Sequence, residues 1–235
     1  RGSLSVAIDY FIAKKMLIFS VPLILSSTAI HLSSFADRLI INDVLSLESL
    51  AIYGIAAKAA SVITILLSGI QGVLSPHFIS TWNTSFGLKS ITRIFFIYLI
   101  FSTLILLFLK IFDYYILIFL GTTKALGGAK VLLILASASI VNGLNIFLFG
   151  LIKSLKTTLL SLIYLFTAAL NISLNYYLIN IYGIEGAAFA TLIAASVGFL
   201  IHFYLSSKHL KLPFSFFIPF CFIIFLLGFN IFMVT

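Results

Sequence analysis

Apolar residues dominate this chain so completely that its polar positions are the informative ones. Long hydrophobic runs recur with short polar gaps between them. They predict helices at 15–37, 51–75, 92–119, 130–152, 157–179, 184–206 and 213–234. Most of these runs match or exceed the roughly 20 apolar residues that cross a bilayer core. The alternating pattern of a membrane barrel is absent, so helices are the way this backbone satisfies its own hydrogen bonds in lipid. The expected fold is an all-α integral membrane protein, a polytopic bundle of about seven transmembrane helices. The third run is long for one straight span and carries Lys110 and Asp113. It predicts a helix ending near Phe108, followed by an interfacial aromatic segment over 114–120.

Composition agrees with this pattern. Charged residues make up 9% of the chain and the mean hydropathy is +1.26. A soluble fold needs far more polar surface to cover its core. The net charge of +8 would point to nucleic acid in a soluble protein, but here its placement matters more. Arg1, Lys14 and Lys15 precede the first span, Lys89 and Arg93 the third, and Lys153 and Lys156 the fifth, while Lys208 and Lys211 follow the sixth. The opposite connections hold Asp37, Asp43 and Glu48, then Asp113, then Glu185. This alternation places the N-terminal end in the cytoplasm, although Lys110, Lys124 and Lys130 fall on the outer side against the trend.

The chemistry excluded is broad. Cys221 stands alone in an apolar run, which rules out a disulfide or a cysteine-based metal framework. Nucleotide-binding loops, metalloprotease motifs, nucleophile elbows and paired carboxylates are all missing. The four histidines, His31, His77, His202 and His209, share no ligand spacing. The connections are too short for an extramembrane catalytic domain. The reading is therefore a transporter rather than an enzyme, with no cofactor or metal. The chain has no initiator Met, no signal-peptide pattern and no polar tail after its last run, so it is read as a piece of a longer protein.

Polar residues enter the helices in stripes. On the first, Ser20, Ser27, His31, Ser34 and Arg38 share a face; on the second, Gly54, Lys58, Ser61, Ser68, Gly72 and Ser75 do. The fourth contributes Ser139, Asn142 and Asn145, the fifth Ser161, Tyr164, Ala168, Asn171 and Asn175. Such stripes suit an internal hydrated cavity, but small and amide residues also serve as packing and glue between membrane helices. The small residues of the sixth helix, Gly183, Ala187, Ala190, Ala194 and Gly198, read as packing alone. Lys58 lies about two turns into its span, where a charge costs on the order of 2–3 kcal/mol unless paired or hydrated. It is a cavity candidate, with snorkelling to the interface as the alternative. Asp37 and Arg38 are placed at the outer end of the first helix, as an ion pair or cap or as gating and substrate contacts. Pro22 removes a backbone hydrogen bond and predicts a hinge. No acidic residue is expected deep in a helix.

The stretch VPLILSSTAIHLSSFADRLIINDVLSLESLAIYGIAAKAASVITILLSGIQGVLSP over 21–76 resembles the start of the C-terminal half of Wzx-type O-antigen and polysaccharide flippases. These belong to the multidrug/oligosaccharidyl-lipid/polysaccharide exporter superfamily. The resemblance is carried by the early Pro22, Asp37-Arg38, Ile52 to Gly54, Ala56 to Lys58, and Ser75-Pro76 closing the second helix. LNYYLINIYGIEGAAFATLIA over 174–194 is similar to the family's penultimate helix pair.

The resemblance implies one lobe of a two-lobe, MATE-like transporter: a cytoplasmic lead-in at 1–14, a six-helix lobe at 15–206 and an additional helix at 207–235. It implies flipping of undecaprenyl-pyrophosphate-linked oligosaccharide across a bacterial inner membrane, with the N-terminal lobe, membrane lipid and possible polymerase and chain-length regulator as partners. Lys58, Arg38 and His31 would then face the pyrophosphate, and Asn142, Asn145, Asn171 and Asn175 the sugar hydroxyls. An ion gradient would drive the cycle. The rivals are a cation-coupled multidrug exporter of the same superfamily, the lipid II flippase branch, and a membrane enzyme of polysaccharide assembly such as a polymerase or acyltransferase.

Overall fold

The computed structural model describes residues 10–234 apart from 83, 122, 210, 211 and 213; Arg1, Lys211, the start of the lead-in and the predicted start of the last helix lie outside them. The described residues form α1 (Tyr10–Val44), α2 (Leu47–Thr81), α3 (Ser85–Leu120), α4 (Ala129–Gly143), the short α5 (Gly150–Lys153), α6 (Thr157–His209) and α7 (Phe217–Val234), with 3-10 turns at Thr123–Gly128 and Leu144–Phe147. No strand occurs among the described residues. Five of the helical segments are long and apolar enough to cross a membrane. Large apolar side chains such as Leu25, Leu32, Phe35, Ile100, Leu104 and Phe108 are exposed, as lipid-facing positions must be. The protein is a helical membrane bundle.

The helices overrun several predicted limits. α1 is already helical at Tyr10, inside the predicted lead-in, runs unbroken through Pro22 and continues past Asp37 to Val44. Ser26 donates its hydroxyl to the Pro22 carbonyl at 2.9 Å, adding a local side-chain bond beside the proline. α2 continues past Pro76 to Thr81. α3 does not stop at Phe108, because Lys110 and Asp113 meet across one turn at 3.7 Å and blunt each other's charge. The fourth run, expected as one helix over 130–152, is instead broken after Gly143. There Asn145 turns its amide onto the Asn142 carbonyl at 3.1 Å, and Tyr98 places its hydroxyl 2.6 Å from the Ile140 carbonyl. Asn competes with the helical backbone in this way by offering it a side-chain partner.

α6 is a hairpin. Its backbone leaves helical geometry only at Gly183 (φ 58°, ψ −137°). Asn171 bonds Thr191, Thr167 lies against Gly198, and the backbone of Leu178 lies against Gly186. The sequence separation of these contacts shrinks toward Gly183, so the two arms, 157–182 and 184–209, run antiparallel. Gly183 has open space around it, so only its backbone conformation demands glycine. Gly183→Ala is expected to cost about 1–3 kcal/mol through that conformation. A lower midpoint in thermal unfolding of the detergent-solubilised protein checks this, and an unchanged midpoint would contradict it.

The hydrogen bonds also set the packing directions. Ser33–Asn171 and Asp37–Asn175 both span 138 positions, so α1 and the first arm of α6 run parallel and in register. Thr64–Ser139 spans 75 and Glu48–Lys124 spans 76, so α2 and α4 are parallel as well. Asn145–His202 and Leu148–Ser206 do the same for the end of the α4 run and the second arm. α4 is the most enclosed helix and packs against α2, α3, α6 and α7. Lipid gives helices little hydrophobic reason to associate, so these polar bonds and the close approach at Gly186 and Gly198 are what bind them.

Candidate functional site

Asp37 is the one carboxylate among the described residues that the bundle encloses, at 5% exposure. It sits on the α1 face that packs against both arms of α6. Asn175 donates its amide to Asp37 Oδ1 at 2.7 Å, and Tyr53 donates its hydroxyl to Oδ2 at 3.3 Å. Thr191 Oγ1 lies 3.2 Å from the same oxygen and 3.1 Å from the Ala187 carbonyl, so its single proton serves one of them at a time. No ion pair to Asp37 is present among the described residues; the ion pairs there join Lys110–Asp113, Lys124–Glu48 and Lys130–Glu185. Arg38, next to it in the chain, is exposed. The expectation that Asp37 ends the first helix is corrected: α1 runs past it to Val44, and its 3.6-residue period buries Asp37 in the bundle while Arg38 is exposed.

Two amides extend the network. Asn171 Oδ1 accepts from Ser33 at 2.8 Å and from Asn175 at 3.1 Å, while its Nδ2 donates to Thr191 at 3.2 Å. Asn175 is fully buried and its Oδ1 has no hydrogen-bond partner. Turning that amide would aim its oxygen at the Asp37 carboxylate, so the orphaned acceptor is forced by charge. A buried carboxylate with an unpartnered amide oxygen close by is a set of hard oxygen ligands, suited to a proton or a small hard cation rather than a transition metal. No group of three His, Cys, Asp or Glu able to hold a metal ion occurs among the described residues.

This network forms one wall of a cavity of about 270 Å³ between α1, α4 and α6, with Thr64 of α2 at its margin. Asn142, Asn145 and Asn171 line it, as do Ser33, Thr167, Thr191 and Tyr164. Asn175 stands behind Asn171, bonded to it. The other candidates lie elsewhere: Lys58, Arg38 and His31 are exposed on outer faces and do not line this cavity. The α1 stripe therefore reaches the cavity only through Ser34; the buried polar positions on the same helix are Ser26 and Asp37, with Ser33 between them half-buried. α1 carries two adjacent polar faces, and the apolar residues around them do not say which one packs.

His202 also lines the cavity. It is buried, and its Nδ1 lies 2.8 Å from Asn145 Oδ1, leaving Nε2 without a partner. A signal for it existed in the sequence. His202 lies four residues after Gly198, on the small-residue face that also holds Ala187, Thr191 and Ala194. That face packs closely at Ala187 and Ala190, as expected, but packing alone is corrected elsewhere on it: Ala194 and Gly198 form cavity wall, and Gly183 has open space around it.

Comparison with protein-family models, with curated proteins and with solved structures gives no match for this chain in any of the three.

Proposed function

We propose that this chain is part of a bacterial inner-membrane transporter that flips undecaprenyl-pyrophosphate-linked oligosaccharide, as one lobe of a two-lobe, MATE-like protein. The observation that carries the reading is a cavity whose polar lining is uncharged, inside an otherwise apolar bundle, backed by a buried carboxylate with no ion pair among the described residues. A cavity of this kind gives polar cargo a path, and a carboxylate of this kind gives an ion gradient a handle. The hairpin in α6 supports counting its arms as separate crossings, which with α7 makes seven. Orientation with the N-terminal end in the cytoplasm gains support as well. Lys110, Lys124 and Lys130, the three lysines against the trend, are each paired with a carboxylate of the outer side.

The test is complementation in a flippase-null bacterium, using the complete coding frame that contains this chain. Return of surface polysaccharide supports the reading. Absence of polysaccharide with gain of drug efflux would replace it with the second reading, a cation-coupled exporter of the same superfamily. That reading is favoured by Asp37, since a buried acid is what cation coupling needs.

Lys58 remains the candidate contact for the pyrophosphate. Its exposed position on α2 fits a face turned toward a second lobe. Lys58→Ala is expected to lower polysaccharide export by about ten-fold, the worth of one charge-assisted hydrogen bond, at unchanged protein level. Normal export from that variant would remove Lys58 from the site.

A further inference from the structure

We infer that the cavity beside His202 is a subsite for one neutral polyhydroxylated ring, and that it discriminates against anionic sugars. The inference deepens the transport reading and rests on it: it names the part of the cargo that this wall touches. At about 270 Å³ the cavity lies just below the roughly 300–1,000 Å³ range of drug-sized pockets, so it holds one ring-sized group and not an oligosaccharide.

The lining chemistry sets the class. Every polar side chain in the lining is uncharged, and none is Lys, Arg, Asp or Glu. Asn145 Oδ1 can only accept, so the His202 nitrogen 2.8 Å away carries the ring proton. That leaves His202 Nε2 as a bare acceptor in a side chain 3% exposed, without a partner among the described residues. Buried polar atoms are satisfied by something, here a water or a ligand O–H. The amide of Asn142 and the hydroxyl of Tyr164 offer both donors and acceptors, and the Thr167 oxygen, whose proton goes to the Ile163 carbonyl, offers an acceptor, while Ile163 and Phe199 present an apolar wall. A group that must donate, accept and lay an aliphatic face on hydrocarbon is a polyol ring.

The discrimination follows from Asp37. Its carboxylate lies one hydrogen bond behind Thr191, and Asn175 links it to Asn171. A second carboxylate in the cavity would meet that charge with no cation between them, so a uronic acid is repelled where its neutral counterpart is accepted.

The experiment is saturation-transfer difference NMR on the protein in lipid nanodiscs, with N-acetylglucosamine, galactose, glucuronate and inorganic pyrophosphate as probes. Saturation should pass to the two neutral sugars, with apparent affinity about ten-fold weaker for glucuronate. His202→Leu removes the acceptor, and Ala168→Leu fills the cavity from another wall without touching a hydrogen bond; each should weaken the neutral sugars by about ten-fold. Lack of signal from both neutral sugars, equal signal from glucuronate, or undiminished signal in Ala168→Leu overturns the subsite. Export of polysaccharide without sugar signal overturns the subsite alone, whereas sugar signal without export overturns the transport reading alone.

Discussion

Replacing Asp37 by Ala is expected to abolish transport and destabilise the protein, whereas Asp37→Asn should abolish transport and leave stability close to wild type. The difference follows from what each variant leaves behind. Tyr53, Asn175 and Thr191 all direct polar groups at the carboxylate from inside the bundle. Removing the acceptor strands them, at about 1–3 kcal/mol for each buried group left unsatisfied. Asn keeps the shape and one oxygen acceptor, and the Tyr53 and Thr191 hydroxyls can rotate to accept from its amide. The charge itself adds little net stability. Burying an ion costs several kcal/mol, and about 1.5–3 kcal/mol from each charged hydrogen bond roughly offsets that. A charge inside a membrane bundle that adds little stability is expected to serve function. The check is thermal unfolding of both variants beside their export. Wild-type export from Asp37→Asn would show that the charge is idle.

Gly186→Leu is expected to be the most damaging substitution in α6. A Cβ at Gly186 would run into the carbonyl of Leu178 and the backbone beside it, which belong to the opposite arm. Backbone on a packed helix cannot swing aside as a side-chain tip can, so the arms must separate. Overpacking of this kind costs about 1–3 kcal/mol for added methylenes, and more where backbone blocks relaxation. Separation also pulls Thr191 from Asn171 and loosens the Asp37 network. Gly54 is the internal control, since it has open space where a side chain would go, and Gly54→Ala should be nearly neutral. The measurement is the yield of folded protein in detergent together with its unfolding midpoint. A Gly186→Leu protein as stable as Gly54→Ala would mean that the two arms do not pack as described.

The architecture was largely legible because membrane insertion leaves so few options: long apolar runs had to be helices, and the gap between the runs at 157–179 and 184–206 holds the turn, although Gly183 itself was read as packing. Helix ends were less legible. The bilayer requirement fixes a minimum length but no maximum, so α1 and α2 extend well beyond their apolar centres. α4 breaks early because Asn145 bonds the Asn142 carbonyl, a local competition that hydropathy does not register. The polar lining of the cavity was half legible in the sequence. Asn142, Asn145 and Asn171 reach the cavity, and Asn175 supports it from behind. Which polar face of α1 packs inward depends on its partner in α6, 138 positions away, and no pattern within α1 carries that information. His202 carried a signal in its place on the small-residue face, but its partner, Asn145, lies on another segment.

The decisive experiment on the proposed transport is export of lipid-linked oligosaccharide by Asp37→Asn in the complete protein, in a flippase-null bacterium with membrane level quantified. The variant is expected to accumulate normally and export no polysaccharide. Normal accumulation with normal export would contradict this, and the Asp37 network would then be a packing device alone.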